Sequence, residues 1–482
     1  MTLAPASLRA AADRVANETT IRLAVTGLSR AGKTVFLTSL IANLLALGRG
    51  RDTLPAVQAR LEAGGESRLR GVRIGPAGAS TIPLFDFAGR FASLAADPPA
   101  WPEPTEGLAR IAIDIETDRA GLLARLGRRR LRIEALDYPG EWLLDLPLLG
   151  QSFSTWSRLT LERLRTPPRA AVFAEFLAWL AQFDAGRPVS DETLRTGHAL
   201  YREGLRACRS RLGLRHLQPG RFLTAGPESE APFLWFFPAP GTPGVADALS
   251  LLAERFEAYK QDMRTHFFET HFAAFDRQVV LVDVLGALHA GRAAFEDTAR
   301  AIADIAAALE YGRNLPPLLR PLQGAIRFGA QLLGLADPVR PRRRIERVAF
   351  VATKADHVPA PQREALRALL RALVEAAAPL AMLGEQRISY HAAASVVSTR
   401  DGRATVEGRP VEVVMGVKLG EAKERAFYPG AVPAGAPPAG FWSEQFYELP
   451  VFAPPRIDPS GASGVPQLGI DAVLASLLAD RL

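Results

Sequence analysis

The 482-residue sequence predicts an α/β fold: a mostly parallel central sheet flanked by helices, with a large helical insertion and a small β-rich element near the C-terminus. Three observations carry this expectation. Short apolar runs of strand length recur along the chain, and several end in a turn with a small or acidic residue. The first of them passes straight into a glycine-rich loop and then a helix. Between the runs lie long stretches with helical spacing, such as Phe173, Phe176, Leu177 and Leu180.

Ile21–Thr26 reads as a buried strand. Val35–Leu47 reads as a helix with Phe36, Leu37, Leu40, Ile41 and Leu44 on one side and Gly48 as its stop. The connection, Gly27-x4-Gly32-Lys33-Thr34, has P-loop spacing. Its glycines let the backbone of Ser29, Arg30, Ala31, Gly32, Lys33, Thr34 and Val35 wrap a phosphate with N–H groups inward. Lys33 would reach the β- and γ-phosphates, and the Thr34 hydroxyl would ligate Mg²⁺. Arg30 either adds a cation there or faces solvent.

Leu108–Glu116 alternates as a strand should. Thr105 lies just before it and is the expected second hydroxyl ligand of Mg²⁺, with Thr81 as the alternative. The next strand, from Leu131, ends in Asp137-Tyr138-Pro139-Gly140. This Asp-x-x-Gly fits a nucleotide switch: Asp137 would hold Mg²⁺ through water, and the Gly140 N–H would bond the γ-phosphate. A plain Pro-Gly turn has the same letters.

Gln278–Leu285 is a third strand, whose Asp283 resembles a Walker B ending but reads better as a capping aspartate. Arg347–Ala352 ends in Thr353-Lys354-Ala355-Asp356. A carboxylate there accepts from guanine N1–H and the 2-amino group, donors that adenine does not present in that arrangement. The Lys354 stem would pack on the base, and Thr353 stands where Asn is commoner. Arg387–Ser395 supplies a last strand, after which Ala394 and Ser395 would bring backbone N–H groups to guanine O6. The order of these motifs describes a P-loop NTPase G domain.

With these motifs the chain resembles the YcjX family of bacterial stress-associated P-loop GTPases along nearly its whole length. The segments "VTGLSRAGKT", "LDYPGEW", "FDRQVVLVDVLGALHAG", "TKADHV" and "FWSEQFYELPVFAPP" carry the resemblance. It implies GTP/GDP binding, a G domain with large insertions and a link to envelope or heat stress.

The expected divisions are a first part of the G domain at 18–150, a helical insertion at 151–275, a second part at 276–400, a β-rich element at 401–465 and a helix at 466–482 returning to the G domain. Leu251–Phe275 reads as one long helix, on which His266 and His271 diverge and make a poor metal pair. Residue 141, where many GTPases orient water with glutamine, is Glu141. It accepts protons but cannot donate to the transition state, so slow turnover is expected, raised by a protein partner or by self-association. A nucleotide-gated binding module and an ATP-using enzyme are the other readings.

The net charge of +7 is carried by arginine, since only five of the 58 basic residues are lysine. Two of the five, Lys33 and Lys354, lie in the nucleotide motifs. Arg128–Arg130 and Arg342–Arg344 each precede a predicted strand, so they would share the sheet edge opposite the ligand and face lipid headgroups or an acidic partner, or simply solvent. No aromatic interleaving suggests nucleic acid. Residues 8–17 look like an amphipathic helix rather than a signal peptide, no apolar run spans a membrane, and the single Cys208 makes no internal disulfide. The cytoplasm is the expected compartment, with a peripheral position at the inner membrane as the alternative.

Overall fold

The computed structural model describes residues 18–63, 66–76, 78, 82–105, 107–119, 128–223, 231–244, 247–311, 345–377, 388–406, 408–438, 440–444 and 449–481. The expected helix at 8–17, Thr81 and Arg342–Arg344 lie outside them. Seven strands form the main sheet: β1 (Glu18–Gly27), β2 (Glu66–Ile74), β3 (Ala109–Arg119), β4 (Arg128–Asp137), β5 (Arg277–Val282), β6 (Arg347–Ala352) and β7 (Ile388–Ala392). Their order is β2-β3-β4-β1-β5-β6-β7. Every pair from β4 to β7 is parallel, while β2–β3 and β3–β4 are antiparallel. The sheet is thus mostly parallel, as the sequence predicts.

Strand periodicity divides the core between the two faces. Ile21, Leu23 and Val25 of β1 and Val279 and Leu281 of β5 point to one face. There they meet α1 (Lys33–Gly48), α2 (Pro55–Ala63) and the C-terminal α11 (Ile470–Leu478). Ala24, Val280, Val282 and Phe350 point to the other face. That face shares one continuous apolar cluster with α4 (Phe153–Leu164), α5 (Ala174–Gln182), α6 (Asp191–Arg211), α7 (Ala248–Asp262), α8 (Val284–His289), α9 (Arg292–Tyr311) and α10 (Arg363–Ala377). Trp156, Tyr201, Phe236 and Phe256 pack ring to ring inside it. Between α1 and β3 lies α3 (Phe87–Leu94), capped by the Asp86 carboxylate. A separate antiparallel sheet is built from β8 (Thr399–Val406), β9 (Arg409–Val417) and β10 (Glu424–Phe427).

Several elements differ from the sequence reading. The helix expected over Leu251–Phe275 stops at Asp262 and widens into a π-helical turn, Met263–Glu269. The extra residue per turn lets Met263, Phe267, Phe268 and Phe272 all face inward, so an α-helical angle between His266 and His271 does not apply. His266 instead pairs with Asp262 at 2.8 Å. The stripe from Phe173 to Leu180 is broken at Phe173, which separates a four-residue turn of helix from α5. Arg128–Arg130 are the first residues of β4 rather than a cluster before it, and Arg130 pairs with Glu116 of β3 at 3.2 Å. No described helix is long and apolar enough to cross a membrane.

Candidate functional site

The loop after β1 turns by two left-handed residues, Arg30 at φ +66° and Gly32 at φ +80°. Gly27 is required by packing: a Cβ there would stand 2.7 Å from the Leu281 carbonyl oxygen and 2.8 Å from Leu281 Cβ of β5. Lys33 is the second basic residue of the loop, and its Nζ donates to the Gly27 carbonyl at 2.8 Å, curling over the loop. Arg30 is exposed, Ser29 half-buried and Ala31 buried.

β4 runs parallel to β1 with Asp137 opposite Val25, which carries Asp137 to the mouth of this loop. Thr105 arrives from the segment before β3. Its N–H donates to Thr34 Oγ1 at 3.1 Å, and the two hydroxyl oxygens are 3.0 Å apart. Three hard oxygen donors expected to hold Mg²⁺ therefore converge from positions 34, 105 and 137. Both Asp137 carboxylate oxygens are buried, and among the described residues no hydrogen bond of ordinary geometry reaches either. Burial pushes its carboxyl above the usual range, against the pull of Lys33, Thr105 and Arg90. An orphaned buried carboxylate beside two hydroxyls fits a divalent cation, because Mg²⁺ takes oxygen ligands and supplies the missing charge.

Asp137→Asn is accordingly expected to raise the melting temperature of the metal-free protein by about 1–3 °C, from about 1–3 kcal/mol of relieved desolvation in a chain of this length. The sign with pH follows from the raised folded value: the folded state keeps its proton longer, so wild type loses stability as pH rises through that window. The advantage of Asn should grow with pH and vanish in acid. Thermal unfolding of both proteins in EDTA across pH 4–8 reads it, and a variant no more stable than wild type at the upper end would refute it.

Pro139 leads into a 3₁₀ helix, Gly140–Gly150. A Cβ on Gly140 would lie 2.5 Å from the Gly27 carbonyl oxygen, so this glycine sits directly against the phosphate loop. Tyr138 is core: its ring stacks on Phe275, and its hydroxyl is paired with Gln278. Glu141 is buried, and Gly220 packs against its backbone.

Beside the same N-terminal end of α1, a cavity of about 270 Å³ is lined by Gly32 and Val35 as well as by Lys354, Asp356 and Ser395. Lys354 adopts the left-handed conformation at φ +61°, and its ammonium pairs with Asp283 at 2.5 Å. Asp283 caps α8 through the Gly286 N–H at 2.9 Å, as read from sequence, but it also lines this cavity. Burial works against its charge, yet Lys354 and the Gly286 N–H hold its carboxyl below the usual range. Thr353 donates its backbone N–H to Val282 at 3.0 Å.

Asp356 is buried and fixed on one side only. Its Oδ2 accepts from the Ser398 N–H and hydroxyl, both at 2.9 Å. Oδ1 has no hydrogen bond among the described residues; His357 Nε2 stands 4.0 Å away, on an imidazole that burial keeps toward its neutral form. Ala394 and Ser395 both line the cavity, but the Ala394 N–H donates to Leu468 at 2.8 Å in a two-way bridge and is already engaged.

Sequence reasoning did not find Ser398, Trp101 and Phe452 in the cavity wall, or Arg215. Arg215 stands on a loop after α6 whose backbone is pinned by buried Asp297, within charge–charge range of Asp283, Arg30 and Glu141. No periodicity or nucleotide motif announces these four.

The parallel sheet, the loop around Lys33 and the cavity that continues to Asp356 are consistent with a P-loop GTPase. The chain belongs to the YcjX-like family, DUF463, whose model matches residues 21–482. It is 34% identical over 474 residues to the "Ras-like GTPase YcjX" of Escherichia coli (strain K12), covering 96% of each chain. It is 32% identical over 481 residues to the protein of that name from Shewanella oneidensis, covering 96% of this chain and 94% of the relative.

Proposed function

We propose that the protein binds GTP and GDP with Mg²⁺ and slowly hydrolyses GTP to GDP and phosphate, as a stress-related switch. One observation carries the reading: a single cavity is walled by the phosphate loop at Gly32 and Val35 and by the base-reading residues Lys354 and Asp356. The names of the relatives support it. The stress role rests on the family resemblance.

The roles follow from position. Lys33, now on the Gly27 carbonyl, turns to the β- and γ-phosphates. Thr34, Thr105 and Asp137 would hold Mg²⁺, which neutralises charge on those oxygens. Gly140 offers its N–H to the γ-phosphate. Glu141 stands where it orients water. Water forms the new bond to the γ-phosphorus, the bond to the β-bridging oxygen breaks with its electron pair leaving on GDP, and the proton of water ends on phosphate. A buried anion at 141 disfavours charge build-up nearby, so turnover is slow until a protein partner or a second copy supplies a cation. We place the protein in the cytoplasm. The helical insertion at 151–275 and the small sheet are proposed as units added to a G domain formed by 18–150 and 276–400.

The test is binding of labelled GDP in Mg²⁺ with GTP, GDP and ATP as competitors, followed by a phosphate-release time course. GTP and GDP should compete and ATP should not; ATP displacing GDP as well as GTP does would sink the guanine reading. A second reading is favoured by the Gly220 cover on Glu141: nucleotide-gated partner binding with negligible turnover. Absence of phosphate release alongside GTP-dependent partner capture would select it.

A further inference from the structure

The far C-terminal segment Leu449–Phe452 lines the same cavity as Asp356 and Lys354. Its backbone continues the small sheet: the Leu419 N–H donates to Val451 at 2.7 Å, and the Ala453 N–H donates to Val417 at 2.8 Å. The Phe452 side chain is 1% exposed and packs edge-on against His357 and Phe427. At the same end of that sheet, Thr399 pairs with Gly416, two residues before Lys418, which bridges to Phe452; the Thr399 hydroxyl bonds the Asp356 carbonyl, next to Ser398 on the Asp356 carboxylate. Trp101 Nε1–H donates to the Phe452 carbonyl at 2.7 Å. Trp101 is four residues before Thr105, which bonds Thr34.

We infer that Leu449–Phe452 is a wall of the purine-nucleoside site, and that Trp101 latches this wall to the loop that delivers Thr105. The inference rests on the guanine-nucleotide reading above. The contacts run in one continuous path: Asp356 to Ser398, through the end of the small sheet to Phe452, across to Trp101, along the chain to Thr105 and Thr34. A nucleoside leaving this cavity has to part Trp101 from Phe452. Parting them pulls on the threonine beside Thr34. Base release and loosening of the metal site are therefore one event, and Trp101 is a positioning residue for both.

Dissociation of N-methylanthraniloyl-GDP from the full-length protein, chased with excess GDP in Mg²⁺ and again in EDTA, tests this. Trp101→Phe keeps the ring and removes the donor. It should speed dissociation in Mg²⁺ by roughly three- to tenfold, the loss of one hydrogen bond, and shrink the acceleration caused by EDTA. Phe452→Leu keeps the carbonyl acceptor and removes the aromatic wall. It should speed dissociation while leaving the EDTA factor at its wild-type size, and it tests the wall should Trp101→Phe fail to fold. Wild-type rates in both variants would overturn the wall. A Trp101→Phe protein accelerated equally in Mg²⁺ and EDTA would overturn the latch. A wild type that retains no labelled GDP would overturn the guanine reading and the wall together, which separates the two failures.

Discussion

Asp356→Asn should lower affinity for guanosine nucleotides by roughly two to three orders of magnitude and raise that for xanthosine nucleotides. The direction follows from how this carboxylate is held. Ser398 presents two donors to Oδ2, so an asparagine keeps its carbonyl oxygen on that side. Its amide nitrogen then takes the place of Oδ1 and turns an acceptor into a donor. Guanine would meet it with the donors N1–H and the 2-amino group, leaving buried groups unpaired. Xanthine has a carbonyl at position 2 and accepts instead. The lost pair of charge-assisted bonds is about 3–4 kcal/mol. Competition of GDP and xanthosine diphosphate against labelled GDP measures the switch, and unchanged GDP affinity would remove Asp356 from the base site.

Gly140→Ala should reduce single-turnover GTP hydrolysis by roughly 10²–10³-fold while leaving GDP affinity little changed. A methyl at this position would stand 2.5 Å from the Gly27 oxygen and 2.6 Å from the Gly27 carbonyl carbon. Neither is the end of a flexible side chain, so the backbone after Asp137 must withdraw and take the Gly140 N–H away from the γ-phosphate. GDP has no γ-phosphate and is spared. The split between hydrolysis and GDP binding is the diagnostic readout. Hydrolysis at the wild-type rate would show that the N–H of residue 140 does not serve the reaction, and loss of GDP binding as well would show a wider collapse of the loop.

The strand–loop–helix at Ile21–Leu47, the strand ending at Asp137 and the strand before Thr353 were legible because each is local. Periodicity, glycine spacing and a terminal acidic residue all lie within a short window. The bond of Thr105 to Thr34 was anticipated only through motif order, since 71 residues separate them. β2 escaped notice: Glu66–Ile74 carries charged residues at 66, 68, 70 and 73, with no clean apolar alternation, and lies at the sheet edge, where burial does not enforce a pattern. The long helix from Leu251 was misjudged because an apolar, aromatic-rich stretch looks the same in α- and π-turns until packing selects one. Ala394 lines the cavity, but its N–H is taken by Leu468, 74 residues on, a partner no local pattern reveals. Trp101 and Phe452 are 351 apart, and no nucleotide motif or periodicity links them.

The turn after Gly140 is stitched to the helices beyond it by Asp145, which accepts from the Gly220 N–H and the Tyr259 hydroxyl, and by Gln218, which donates to Leu144. Such riveting makes the helices a load on the turn rather than a loose appendage. A sub-ångström displacement at the phosphate end cannot be absorbed locally and has to be delivered to the outer contour of the molecule, where a listener could feel it.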